Sequence, residues 1–184
     1  KGIKLAYGDF IGFLNVGDYF TENAINFMLS KIKKKNPDVV FGTVKKKKIY
    51  SGFSEIKIAK ALNIFPSLMS TFININMFKK YGLFDLSFEF YNDYEFIYRL
   101  IKKKKLKFDI TGKKEIITIF DLNGFSSKIN IYRRLLEELK IRIRYENFFL
   151  ATLKMIARFF RYYQLKYFNQ SKLNKYNWLL FFIF

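Results

Sequence analysis

No cysteine and no histidine occur among the 184 residues, and each absence removes a body of chemistry. Without thiols there are no disulfides and no thiolate nucleophile, and the redox compartment stays open. Without imidazole there is no histidine general base and no histidine-ligated zinc. Acid–base work must fall to Asp, Glu, Lys or Tyr. Proline is scarce, at 2, and with 51% hydrophobic and 21% aromatic residues the chain does not read as disordered. Acids are outnumbered, 15 Asp and Glu against 34 Lys and Arg, for a formal net charge of +19. No apolar run reaches the roughly 18–20 residues that span a bilayer, and no signal-peptide pattern is present.

What is present is enough chain for one domain with a real core. It opens at Lys1 rather than Met, and Gly2 to Ala6 read as the tail of a helix, so more protein is expected upstream. The positive charge invites a nucleic-acid reading. However, Lys, Ile, Asn, Phe and Tyr are abundant together, as in a coding sequence poor in G and C. Net charge speaks to solubility and non-specific binding rather than to fold. Anionic membrane lipid and phosphate-bearing substrates rank ahead of DNA or RNA, and no specific nucleic acid is expected.

Along the chain, Phe10–Leu14 reads as a short buried strand and Thr21–Lys34 as a helix stopped by Asn36-Pro37. Asp38–Val44 reads as a second buried strand, and Lys45–Lys48 as a solvated hairpin edge. Ser51–Pro66 is weakly patterned and reads as a loop with one short helix. Thr71–Asn74 is a strand, followed by a helix from Asn76 to Tyr81 that Gly82 ends. Asn92 is the expected N-cap of a helix through Leu100, closed by cations from Lys102 to Lys105. Leu106–Ile110 and Ile116–Phe120 read as strands. The expected division is a domain over 1–128 and a helical, basic and aromatic extension over 129–184.

Two acidic positions stand out. Asp18 ends the string Leu14-Asn15-Val16-Gly17-Asp18, past the carboxyl end of a buried strand, where open α/β sheets bind ligands. A carboxylate there can hold a divalent cation against a phosphate. Equally, Asp18 can cap the helix that follows. Asp93, in Asn92-Asp93-Tyr94-Glu95-Phe96-Ile97-Tyr98-Arg99-Leu100, lies in a helical first turn. There it can work as a base, or simply favour the helix through its dipole.

Taken in order, Gly8-Asp9-Phe10-Ile11-Gly12-Phe13-Leu14-Asn15, Phe65 to Phe72, Phe78 to Asp85, Asn92 to Leu100 and Asn123-Gly124-Phe125-Ser126-Ser127 resemble family 2 glycosyltransferases. The resemblance covers roughly residues 1 to 150 and lies in order and spacing rather than in one motif. It implies a GT-A type α/β fold, a mostly parallel sheet flanked by helices and incomplete at its N-terminus, with C-terminal amphipathic helices. The family's nucleoside-binding part would lie upstream. The implied activity is transfer of a sugar from a nucleotide-sugar donor to a saccharide or lipid-linked acceptor in surface polysaccharide biosynthesis. On this reading Asp18, with Asn15 and Gly17, takes the donor diphosphate and Mg²⁺ or Mn²⁺. Asp93 is the catalytic base, and Tyr94, Glu95 and Arg99 serve the acceptor. Two positions depart from the family pattern: Gly17 replaces the first Asp of Leu-Asn-x-Asp-Asp, and Leu68 stands where a His is usual. These support the alternative of an inactive fragment or pseudoenzyme acting as a binding or scaffolding module.

From Ile131 to about Phe168 the pattern is one or two long amphipathic helices, and the chain ends in the apolar Trp178–Phe184. Cations on such a helix suit an anionic leaflet, with its aromatics in the interface. The same stripe also suits packing on the catalytic domain. Peripheral membrane contact is the expectation, with a cytoplasmic location at the inner face of the cell membrane.

Overall fold

The computed structural model describes residues 1–48, 52–56, 67–102, 106–112, 114–121 and 130–167. The chain divides into two compact units, Lys1–Ile129 and Asn130–Phe184. Lys103 to Lys105 of the expected cation run, the loop around Asn123–Ser127 and the apolar end at Trp178–Phe184 fall outside the described residues, as does 57–66.

In the first unit the elements run α1 (Gly2–Leu5), β1 (Phe10–Gly12), β2 (Tyr19–Phe20), α2 (Ala24–Lys35), β3 (Val39–Phe41), β4 (Thr43–Lys48) and β5 (Gly52–Ile56). A 3-10 turn at Leu68–Ser70 then leads into β6 (Thr71–Asn74), α3 (Ile75–Tyr81), α4 (Asn92–Ile101), β7 (Phe108–Ile110) and β8 (Ile116–Asp121). The strands form two four-stranded sheets, ordered β1-β6-β3-β7 and β2-β8-β4-β5. The α/β class and the flanking helices are as expected, but the sheets are mixed rather than mostly parallel. Only β3–β7 and β4–β8 pair in parallel, while β1–β6, β3–β6, β2–β8 and β4–β5 are antiparallel. A β-branched run reveals a strand without revealing its direction, which depends on where the chain re-enters the sheet.

The expected strand Asp38–Val44 is in fact two strands in different sheets, divided at Gly42. The backbone is too crowded there for any side chain. A Cβ on Gly42 would lie 2.4 Å from Ile117 Cγ1 and 2.6 Å from the Ser70 carbonyl oxygen. That oxygen accepts a hydrogen bond from the Gly42 N–H at 2.7 Å. The four-lysine run is likewise not an edge. It lies in β4, bonded by β8 on one side and β5 on the other, since ladder bonding is a backbone property. Gly52–Ile56, expected in a loop, supplies that outer strand.

Alternation along β3 and β6 sorts the core onto both faces of the first sheet. Val39, Phe41 and Ile73 face Met77 and Phe78 of α3 and Phe96, Ile97 and Leu100 of α4. Val40, with Phe72 against it, joins Ala24 and Met28 of α2 and Ile117 of β8. Each fully buried side chain of this size contributes about 1.5–3 kcal/mol of transfer free energy.

The second unit is a helical pair, α5 (Ile131–Tyr145) and α6 (Phe148–Tyr167). The side-chain carbonyl of Asn130 caps the first by accepting from Tyr132 N, and that of Asn147 accepts from Phe149 N, both at 2.9 Å. Within the pair, buried Glu138 receives Arg142 and Arg158, and Glu146 receives Lys154. Among the described residues, no helix is long and apolar enough to cross a membrane.

Candidate functional site

Asp18 stands where the chain leaves the first sheet and enters the second. Phe13 and Leu14 follow β1 outside the ladder, Asn15 to Asp18 form a turn, and β2 begins at Tyr19. The turn is closed by Asp18 N donating to the Asn15 carbonyl at 3.1 Å. Gly17 has φ of 92°, a region that disfavours side chains, so an Asp in the family's position would strain this turn. Asp18 is 9% exposed. It does not cap α2, which starts at Ala24 with Asn23 as its cap residue. That removes the capping explanation and leaves a buried acid at a strand end.

Asp93 occupies the first turn of α4, with Tyr91 rather than Asn92 as the cap residue. The helix therefore starts one residue earlier than the Asn92 cap implies. Asp93 is half-buried, and its Oδ1 accepts from the Tyr94 N–H at 2.6 Å. Burial raises its pKa above the ordinary 3.8, and the Tyr94 N–H offsets part of that rise. A carboxyl whose affinity for a proton is raised is better placed to accept one.

Glu95 and Arg99 are engaged with each other and with the scaffold. Glu95 is 1% exposed, and its two carboxylate oxygens receive Arg99 Nε at 3.1 Å and Nη2 at 2.6 Å. The same guanidinium donates to the carbonyls of Tyr81 and Leu83, at the end of α3, and lies 5.1 Å from the Phe96 ring. This clamp joins α4 to the chain before it. Truncating Arg99 to Ala leaves a buried carboxylate without its cation, a loss of about 3–5 kcal/mol. Chemical denaturation should show that loss as a lower midpoint.

Tyr94 stacks in a ladder, with its ring 5.2 Å from Tyr91 and 5.8 Å from Tyr98. Lys102 Nζ lies 5.1 Å from the Tyr98 ring. Tyr91 and Tyr94 thus flank Asp93 as half-exposed aromatic surface.

One aromatic cluster ties the two acidic segments to the same part of the fold. Phe13, five residues before Asp18, packs edge-on to Phe78 and Phe84 at 6.1 and 5.4 Å. Phe96, three residues after Asp93, stacks on Phe78 at 4.6 Å and meets Phe84 at 5.3 Å. The 3-10 turn Leu68–Ser70 also touches both β1 and α4.

This turn is itself bolted to the scaffold, a role the sequence did not disclose. Ser70 Oγ donates to the carbonyls of Gly42 and Ser67, Thr71 Oγ1 to that of Ser67, and Thr118 Oγ1 to that of Met69. Leu68, in the position of the family's His, packs against the core. A hollow of about 490 Å³ lies elsewhere, bounded by Phe10, Met28, Ile32, Phe72 and Asn74, with none of the expected site residues in its wall.

A divalent cation would find one carboxylate here, Asp18, with the amide of Asn15 nearby in the turn. Among the described residues no three acidic side chains cluster as a metal cage. The hard oxygen donors suit Mg²⁺ or Mn²⁺ only where a diphosphate and water complete the shell.

The fold is that of a glycosyltransferase. The chain is similar to solved structures of TarS from S. aureus, a glycosyltransferase, over nearly all its own length. Against TarS 1–349 the TM-score is 0.58, with 9% identity over 93% of this chain and 54% of that one. Against the complex with UDP the values are 0.60, 9%, 95% and 55%, and against the complex with UDP-GlcNAc 0.58, 9%, 93% and 55%. The chain spans about half the length of these structures. No protein-family model matches it, and no curated protein sequence does.

Proposed function

We propose that this chain is the acceptor-side and catalytic part of a family 2, GT-A type glycosyltransferase. It would transfer a sugar from a nucleotide-sugar donor to a saccharide or lipid-linked acceptor in surface polysaccharide biosynthesis. The observation that carries the reading is the shared aromatic cluster, which anchors the segments bearing Asp18 and Asp93 to one another. The TarS complexes with UDP and UDP-GlcNAc support a donor of the nucleotide-sugar class.

On this reading Asp93 takes the proton from the attacking hydroxyl. The acceptor oxygen bonds to the anomeric carbon as the bond from that carbon to the diphosphate oxygen breaks, and the electron pair leaves with the nucleoside diphosphate. The Tyr94 N–H holds the Asp93 carboxylate in orientation. Tyr91 and Tyr94 offer flat apolar surface for a sugar ring beside it. The Glu95–Arg99 clamp positions α4, so these two residues act on the acceptor through the helix. Asp18 and Asn15 would hold Mg²⁺ or Mn²⁺, with Gly17 allowing the backbone to approach the diphosphate. The cation supplies charge neutralisation for the departing diphosphate.

Calorimetric titration with UDP tests the donor half. Heat of binding is expected with Mn²⁺ and is expected to fall at least tenfold in affinity with a chelator or in Asp18→Asn. Binding that is indifferent to both would remove Asp18 from the donor site.

A further inference from the structure

Strand β1 ends its sheet, with β6 on one side and, among the described residues, no strand on the other. Its hydrogen-bonding parity shows which groups the open side carries. The Asp9 carbonyl accepts from the Ile75 N–H at 2.8 Å, and that pair stands two residues along the same register from Ile11 and Ile73. Bonded pairs alternate along an antiparallel ladder, so Ile11 turns its N–H and C=O to β6. Phe10 and Gly12 turn theirs outward, and neither has a backbone partner there among the described residues.

Open strand edges are usually guarded by charge, proline or shortness. The opposite edge of the same sheet, β7, has Asp109 within it, ion-paired to Lys35 at 3.0 Å, and exposed Lys107 just before it. Strand β1 has neither charge nor proline, and exposed apolar groups flank it, Leu5 and Tyr7 before and Leu14 and Val16 after. Beside it, on the α2 face, lies the hollow of about 490 Å³, walled by Phe10, Ile25, Met28, Leu29 and Ile32. One water takes roughly 30 Å³, so this is space on the scale of side chains. Ile25 and Leu29 in its wall are 46% and 41% exposed.

We propose that the outer edge of β1 receives a further strand from a part of the same protein beyond these 184 residues, apolar at alternate positions, whose side chains on the α2 face enter the hollow. Backbone bonding supplies the attachment and the hollow supplies the selectivity, as in other strand additions. The edge itself selects this occupant. Outward N–H and C=O groups are matched by another backbone, which neither a lipid nor a small apolar ligand provides. A second copy of the chain would present β1, and on the α2 face that strand has only Phe10, which already walls its own hollow, and Gly12, which has no side chain. A strand of different sequence is therefore required, and nearly half of TarS 1–349 has no counterpart in this chain. The inference rests on the reading of this chain as part of a larger transferase, and not on the roles of Asp18 and Asp93.

Amide hydrogen exchange read by NMR, on the 184-residue chain and on the full-length natural polypeptide, tests this without any sugar transfer. In the 184-residue chain the Ile11 N–H is expected to be protected and those of Phe10 and Gly12 to exchange freely. In the full-length polypeptide Phe10 and Gly12 are expected to exchange about 100-fold more slowly or slower still, as amides within a ladder do. Leu29→Glu places a charge in the wall of the hollow. Because Leu29 is partly exposed, the unfolding midpoint of the 184-residue chain should stay in place. In the full-length polypeptide the same variant should reduce the protection of Phe10 and Gly12 by about tenfold or more. Should it unfold that polypeptide, Leu29→Thr carries the comparison. Equally fast exchange of Phe10 and Gly12 in both polypeptides overturns the proposal, as does protection indifferent to the Leu29 variants. Protection in the 184-residue chain that rises with its concentration also overturns it, and would assign the edge to a second copy.

Discussion

On the function proposed above, Asp93→Asn is expected to lower sugar transfer by about 10²–10⁴-fold, the usual contribution of a positioned general base. Donor binding should be unchanged, because the role proposed for Asp93 is on the acceptor side only. The change keeps the shape of the side chain and keeps an oxygen for the Tyr94 N–H, so the turn of α4 survives. Its effect on stability has the opposite sign. The folded state raises the pKa of Asp93 by burial, so it holds a proton more tightly than the unfolded chain does. The stability associated with this group is complete below the unfolded value of 3.8 and is lost as pH rises through the folded value. At neutral pH the wild type carries a buried charge that the amide lacks, and Asp93→Asn should unfold at a higher temperature while being inactive. Activity of the wild type should fall as acid protonates Asp93, over a range shifted above that of an ordinary Asp. Transfer by Asp93→Asn at the wild-type rate would remove the residue from the chemistry.

Gly42→Ala is expected to be the most damaging small substitution in the first unit. Its methyl group would overlap Ile117 Cγ1 and the Ser70 carbonyl oxygen at 2.4 and 2.6 Å. The side chain of Ile117 is fully buried, and the Ser70 carbonyl belongs to a turn held by several hydrogen bonds, so neither has room to withdraw. Overpacking of a core costs about 1–3 kcal/mol where the neighbours can adjust. With backbone as one of the two obstacles, the cost here is at the top of that range or above it. Denaturant unfolding would measure the loss, and a midpoint equal to that of the wild type would mean that the strands part more easily than their packing implies. Because Ser70 belongs to the 3-10 turn that touches β1 and α4, the variant should also disturb the candidate site.

Much of this fold could be read from residue patterns. Val39, Val40 and Phe41 announce a buried strand because β-branched and aromatic side chains suit a sheet covered on both faces. Gly82, with φ of 85°, was legible as a helix end for the same stereochemical reason. The two acidic positions could be found because strand ends and helix first turns are where backbone geometry presents carboxylates. The resemblance then assigned roles to them. Other features were not legible. Gly42 looks like the interior of one strand, and only the approach of Ile117 and Ser70, distant in sequence, makes it a boundary between sheets. The buried pairing of Glu95 with Arg99 needed the end of α3 beside α4, whereas the sequence showed two polar groups one turn apart. Ser70 and Thr71 showed in the sequence only as part of a segment resembling the family, and that their hydroxyls bond to the carbonyls of Gly42 and Ser67 depends on how the turn packs.

Taken alone, the sequence determined the helices, most of the strands, the absence of histidine and thiol chemistry, and the short set of acids able to serve as base or ligand. These follow from local periodicity, turn stereochemistry and composition, which act over a few residues. Tertiary structure alone decided which strands run parallel, where Gly42 divides two sheets, that Asp18 is no helix cap, and that Phe13 and Phe96 meet in one cluster. Those outcomes depend on contacts between segments tens of residues apart, whose geometry is set by close packing rather than by any local preference.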